Sequence, residues 1–240
     1  MQGPICGYLS LDWTMSVLTY CAMAGRPKAP PSVSPEGGLR ESNKRDKRER
    51  LRAAAWHLFS TTGYEATTTR AIAEKAGVAS GTLFLYARDK QDLLFLVFEE
   101  RLRVAVDDSF RTLPRDAPLN DQLMHIFRRL FAMYAESEGV SRMFVKELPG
   151  AEGPNAERVN GLTLAFFQRV ASLVERAQQR GEVRKSAFPL LAAQTFFALY
   201  YMSLMTWLSG FNTLETALDP VLKSSLDLLM TGLEERANTA

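Results

Sequence analysis

Residues 67–90 read TTTRAIAEKAGVASGTLFLYARDK, a helical pattern cut in its middle by Ala76-Gly77-Val78. The first piece carries Ile72, Ala73 and Ala76 on one face at helical spacing. Thr68 stands where a hydroxyl caps free N–H groups, and Gly77 where a helix ends in the left-handed conformation. The second piece is short. It opens with Ser80, Gly81 and Thr82 and then turns apolar. Ordinary core packing does not call for so short a helix with so small a leading edge.

A helix, a tight turn with Gly and a second helix at a steep angle make a helix-turn-helix, whose second helix enters the major groove. On that reading Ser80, Gly81 and Thr82 let the backbone approach the groove floor and offer hydroxyls. Leu83 faces the core, and Phe84, Leu85 and Tyr86 form the outer rim. Thr69 and Arg70 are placed to hold phosphates, and Lys90 suits the opposite phosphate wall.

Outward from this stretch the chain reads as all-α. The first helix is expected over about 43–62, with Leu51, Ala54, Ala55, Leu58 and Phe59 inward and Gly63 as its stop. Asp89 caps a fourth helix running to about Phe110. Further helices are expected over about 120–137, 140–148, 155–180, 189–209 and 214–237. This makes about nine helices, three in a small basic unit and six in a larger one. The expected organisation is a tail or over-extended start at 1–39, a DNA-binding unit with a basic arm at 40–92, and an effector-binding and dimerisation unit at 93–240. Within the tail, residues 25–38 read as a Pro, Gly and Ser-rich linker, and Met15 and Met23 are alternative starts.

The net charge of +2 is unevenly distributed. Residues 40–92 hold 11 basic and 7 acidic side chains, a balance of +4, whereas 93–240 hold 16 and 18, a balance of −2. Such confinement fits one segment that faces a polyanion. Lys44, Arg45, Lys47 and Arg48 precede the first apolar residues and read as a flexible arm that neutralises phosphates. Cys6 and Cys21 suggest no disulfide framework, so a reducing, cytoplasmic setting is expected. His57 and His125 form no ligand cluster, and neither a metal nor a cofactor is called for. No Glu-x-x-His motif or phosphate loop points to an enzyme.

Residues 54–94 resemble the N-terminal domain of the tetracycline-repressor (TetR) family of transcriptional regulators. The resemblance is carried by Ala54-Ala55-Trp56-His57-Leu58-Phe59, Gly63-Tyr64-Glu65-Ala66-Thr67-Thr68 and Ile72-Ala73-Glu74-Lys75-Ala76-Gly77-Val78. Gly81-Thr82-Leu83-Phe84-Leu85-Tyr86 and Lys90-Gln91-Asp92-Leu93-Leu94 complete it. It implies that Thr69, Arg70, Ser80, Gly81, Thr82, Phe84, Tyr86 and Lys90 contact double-stranded DNA. Three positions depart from the family pattern: Ala79 replaces a capping serine, Leu85 a polar residue or histidine, and Ala87 a larger, usually aromatic one.

Residues 186–214 hold no charged side chain and are long enough to cross a bilayer. Gln194, Thr195, Ser203 and Thr206 favour a helix buried against protein. With the following helix it suits a four-helix homodimer interface, for which Phe196, Leu199, Met205, Leu222, Leu226 and Leu229 are the candidates. Two recognition helices then read a palindromic operator. A Met and aromatic stripe, including Phe131, Tyr134, Met143, Phe144, Phe166, Phe167 and Tyr200, could enclose an apolar cavity. TetR-like proteins typically hold an effector there, which implies a hydrophobic or aromatic small molecule. Glu147 and Arg169 could orient it. The expected function is thus a repressor released by such an effector; the alternative is an effector-independent, nucleoid-type DNA binder.

Overall fold

The computed structural model describes residues 35–233, with side chains from residue 40, and every regular element among them is helical. Two units divide the chain, 1–42 and 43–240, and only the last residues of the first are described. Cys6, Cys21, most of the expected linker and the end of the expected last helix lie outside the described residues.

α1 spans Pro35–Thr61, beginning inside the expected linker and carrying the basic residues 44–48 as helix rather than as a flexible arm. Leu51, Ala54, Ala55 and Phe59 are buried along one face. α2 spans Thr69–Ala76. The Thr68 hydroxyl accepts from the Ala71 N–H at 3.1 Å. At its other end Gly77 takes φ +63, its N–H donates to the Glu74 carbonyl and the Val78 N–H to that of Ala73. This paired closure satisfies carbonyls the helix leaves free.

α3, Ser80–Leu83, is shorter than expected. Its start has no side-chain cap at Ala79, and hydrogen-bonded turns carry the chain on to Ala87. α4 follows at Lys90–Arg111, capped by Asp89, whose carboxylate accepts from the Asp92 N–H at 2.7 Å. α5 (Leu119–Ala135), α6 (Glu138–Glu147), α7 (Pro154–Gln179) and α8 (Pro189–Leu208) complete the larger set. The expected last helix is interrupted. Leu214–Thr216 leads into a π-helical segment, Ala217–Leu222, which Asp219 breaks at φ −142, ψ 118. Pro220 then opens the turn ahead of α9, Lys223–Leu233. No helix among the described residues is long and apolar enough to cross a membrane.

One apolar cluster runs from α1–α3 through α4 into α5–α8. Aromatic rings form its spine. Phe98 on α4 stacks on Phe144 of α6 at 4.0 Å, and Phe127 on α5 stacks on Tyr200 of α8 at 4.7 Å. α4 therefore carries the packing of both the small N-terminal helices and the larger set. Phe98→Ala should cost about 3–5 kcal/mol of unfolding free energy, measured by urea denaturation; a loss well below that would mean α4 is not the spine of the core.

Candidate nucleic-acid interface

The helix-turn-helix presents one side of α3 outward because the other is held by apolar contact. Leu83 and Ala87 are buried with Ile72, Ala73 and Ala76 of α2. Ser80, Gly81, Phe84 and Leu85 are exposed, while Thr82 and Tyr86 are half-buried. Phe84 is 53% and Leu85 81% exposed. Arg70, at the start of α2, is exposed and makes only a surface pair with Glu74 at 3.0 Å, while Thr69 is half-buried. Such a pair leaves the guanidinium available to a phosphate.

Several cations expected on this surface have internal work. The Lys90 ammonium donates to the carbonyls of Tyr64 and Glu65 at 3.0 and 3.1 Å and lies 4.5 Å over the Tyr64 ring. Lys90 therefore supports the α1–α2 loop. Burial, then the nearby Glu147, raises the Tyr64 phenol to about 12, which keeps it neutral. Lys44, Arg45 and Lys47 are exposed along α1, but Arg48 turns inward. It meets Glu99 of α4 at 2.8 Å and the Asn155 side-chain oxygen at 3.3 Å. Burial raises the pKa of Glu99, with Arg52 opposing.

Arg50 was not singled out by sequence. Its guanidinium donates to the carbonyls of Ala76 (2.9 Å) and Gly77 (2.7 Å), closing the end of α2 from α1. A Cβ on Gly77 would sit 2.8 Å from the guanidinium, whose flexible end can move, so it is the positive φ that calls for glycine here.

A second feature missed by sequence joins the recognition unit to the larger set. Asp92 and Asn155 are both buried. The Asp92 carboxylate accepts from the backbone N–H groups of Arg88 (3.0 Å) and Asn155 (3.1 Å). The Asn155 amide donates to the carbonyls of Tyr86 (2.9 Å) and Asp92 (3.3 Å). The Arg88 guanidinium bonds the Glu152 carbonyl and packs where a Cβ on Gly153, at φ +118, would clash. Gln91 donates to Glu147 at 2.7 Å. The segment between α6 and α7 is thereby fastened to the end of the helix-turn-helix.

The expected effector residues come together in the core, ring against ring. Phe131, Tyr134, Phe144, Phe166, Phe167 and Tyr200 are buried against one another and against Phe98, Phe127 and Phe197, and Met143 is half-buried. Burial raises the pKa of both the Tyr134 and the Tyr200 phenol. Glu147 and Arg169 lie outside this group: Glu147 serves Gln91, and Arg169 pairs with Asp107 at 2.7 Å. A cleft of about 540 Å³ lies elsewhere, between α1, α4 and α5. Its wall includes Trp56, with the Arg101 guanidinium 3.7 Å over the ring, and none of the expected effector residues.

The expected dimer residues also need correction. Phe196, Leu222 and Leu226 are buried within the chain itself, and Leu199, Met205 and Leu229 are half-buried. The outward apolar residues of α8 are Leu191 (60% exposed) and Met202 (64%), and of α9 Leu228 (76%). An all-apolar helix does not declare in its sequence which face is inward.

Residues 51–97 match the family described as bacterial regulatory proteins, tetR family. The fatty acid metabolism regulator protein of Bacillus subtilis (strain 168) is 23% identical over 193 residues, covering 80% of this chain and 98% of its own. The HTH-type transcriptional repressor KstR of Rhodococcus jostii (strain RHA1) is 26% identical over 179 residues, covering 72% and 78%. Thermus thermophilus FadR, a TetR-family transcriptional repressor solved in complex with lauroyl-CoA, shares the fold with a TM-score of 0.64. It is 25% identical and covers 80% of this chain and 98% of its own.

Asn155→Ala removes the donors to two buried carbonyls, so it should lower the unfolding free energy by about 1–3 kcal/mol. Asn160→Ala, at an exposed position of the same helix, should change it by less than about 0.5 kcal/mol. Equal effects in chemical denaturation would show that the junction carries no special energy.

Proposed function

We propose that this chain, a transcriptional regulator of the tetR family, is a repressor that holds a palindromic operator as a homodimer and leaves it when a long-chain acyl thioester binds. The observation that carries the reading is the outward face of α3. Residues 80 and 81 of α3 and 84 and 85 in the turn after it are exposed, and the inner side of the segment is fixed by Leu83.

One such helix spans too few base pairs for useful specificity. Two of them set roughly 34–36 Å apart meet successive major grooves. The pairing surface is the exposed face of α8 and α9. Phe188, Leu191, Thr195, Ala198 and Met202 follow one another at alternating spacings of three and four residues. That is the seam spacing of helices that pack side by side.

The effector class is argued from two sides. The Bacillus relative is named for fatty acid metabolism and the Thermus relative holds lauroyl-CoA. Here the space between α4, α5, α7 and α8 is filled by Phe110, Phe127, Phe166, Phe197 and Tyr200, an apolar lining for an alkyl chain once the rings part. The buried, neutral phenols of Tyr134 and Tyr200 supply hydroxyls for a carbonyl. Parting Phe110 and Phe166 moves α4 against α7. Both helices end in the Asp92–Asn155 junction, so the displacement reaches the recognition helix. The ligand shifts the population between two states by no more than its difference in affinity for them.

Lauroyl-CoA at saturation should raise the dissociation constant for the operator by roughly 5–150-fold, whereas free coenzyme A should not. Gel-shift or anisotropy titration reads this, and insensitivity to acyl-CoA of every chain length would overturn the effector class. Binding to all duplexes alike, with no palindrome recovered from genomic fragments, would favour the nucleoid-type alternative.

The pairing face has its own test. Leu191→Glu and Met202→Glu place a charge in an apolar seam. Each should shift the protein from dimer to monomer in sedimentation equilibrium at micromolar concentration and weaken operator binding in parallel. Dimers that survive both changes would remove α8 from the interface.

A further inference from the structure

We propose that Gly81 and Leu85 together form a notch that reads the C5-methyl group of thymine in each operator half-site. The inference rests on the DNA-binding reading above and adds the chemical group recognised and the residue that recognises it.

Gly81 lies inside α3, where glycine is less stable than alanine. Its φ is not in the left-handed region, and a Cβ added to it would meet nothing within 4 Å. Neither backbone conformation nor packing within the chain therefore requires glycine here. Gly77 is the contrast: it has positive φ and the Arg50 guanidinium 2.8 Å from where its Cβ would stand. What a bare position on an outward helix face permits is the close approach of something outside the chain.

Leu85 follows Gly81 by four residues, in the hydrogen-bonded turn just past the end of α3, and both are exposed. The Leu85 N–H donates to the Thr82 carbonyl at 3.2 Å, which continues that turn. Its side chain is 81% exposed, the most exposed apolar side chain of the segment. Exposing it has no benefit within the chain. Phe84, at 53%, belongs to the neighbouring side with Ser80. A missing side chain beside a projecting isobutyl group makes a shallow apolar notch. The Leu85 side chain offers no hydrogen-bond donor or acceptor and so cannot select N7, O6 or N4 of a base. In the major groove the one apolar group that distinguishes a base pair is the thymine methyl. The removal of Gly81's side chain admits the base edge, and Leu85 covers the methyl.

The test uses the full-length dimer and its selected palindrome. Each thymine is replaced in turn by deoxyuridine, which removes only the methyl. One thymine per half-site should prove sensitive. Symmetric replacement there should weaken wild-type binding roughly fifteenfold, since each of the two buried methyls is worth about fourfold. Leu85→Ala should bind the thymine and deoxyuridine operators equally, whereas Phe84→Ala should keep the difference. At the same position 5-methylcytosine should bind more tightly than cytosine, which identifies the methyl as the group read. Gly81→Ala should keep or raise thermal stability and still cut operator affinity at least tenfold. Leu85→Ala is a surface change, so its melting temperature serves as the folding control. Unchanged deoxyuridine sensitivity in Leu85→Ala, or its loss in Phe84→Ala instead, overturns the assignment. A palindrome bound equally well with every thymine replaced overturns methyl reading while leaving the regulator reading intact. Failure of the wild type to retain any duplex at low salt overturns both.

Discussion

A carboxylate taken out of water must be met by hydrogen-bond donors, or it destabilises the fold by several kcal/mol. Asp92 is such a group, and its donors come from two directions. One is the Arg88 N–H, at the end of the recognition segment; the other is the Asn155 N–H, in the first turn of α7. Asp92 itself lies in the first turn of α4, which Asp89 caps. One side chain thus ties the recognition segment and α4, neighbours in sequence, to α7, which lies 63 residues further on. The glycine at 153 and the arginine at 88 follow from the same demand, because the chain must fold back tightly enough to bring Asn155 to the carboxylate.

That junction gives α4 its mechanical character. Its first turn is locked to the recognition unit. Its middle carries Phe98, stacked on Phe144, and its last turns carry Phe110, edge-on to Phe166. On the proposed reading, a displacement of the rings at its far end acts on the helix whose first turn holds the recognition unit. The amplitude need not be large. Packed interiors have discrete arrangements rather than continuous ones, so a ligand that parts two rings selects between states instead of bending one.

Local features were legible in the sequence, and long-range ones were not. Thr68, Gly77 and Leu83 announce the helix-turn-helix because a cap, a left-handed stop and an inward apolar position are each set by immediate neighbours. The same locality made Asp89 readable as a cap. Arg50, Arg48 and Asn155 act on partners 26, 51 and 63 residues away, and nothing near them in the chain signals it. The carbonyl partners of Lys90 are likewise silent in the sequence, because every residue possesses one. The faces of α8 were unreadable for a different reason. With apolar residues all round, Phe196 and Met202 are chemically alike, and only the packed neighbours decide that one is core and the other surface. The aromatic stripe was read as a possible cavity wall; its rings instead meet each other, an outcome that composition does not separate from a void.

The fate of the basic residues bears on how such a protein could discriminate. The balance of +4 over residues 40–92 overstates the charge offered to a phosphate backbone. Arg48 and Arg52 are committed to carboxylates on α1 and α4, Arg50 and Arg88 to backbone carbonyls, and Lys90 to the α1–α2 loop. Arg40, Lys44, Arg45, Lys47, Arg70 and Lys75 remain exposed. Phosphate contacts set affinity and register without reading sequence. With fewer cations free for them, a larger share of the discrimination must come from the small and apolar tip of α3, where hydroxyls and hydrocarbon meet base edges. A recognition surface built this way weakens less with added salt than the raw charge suggests, and it depends on the shape of one short helix. The rigid seating of that helix by Leu83, Arg50 and the Asp92 junction is then a requirement of specificity as much as of stability.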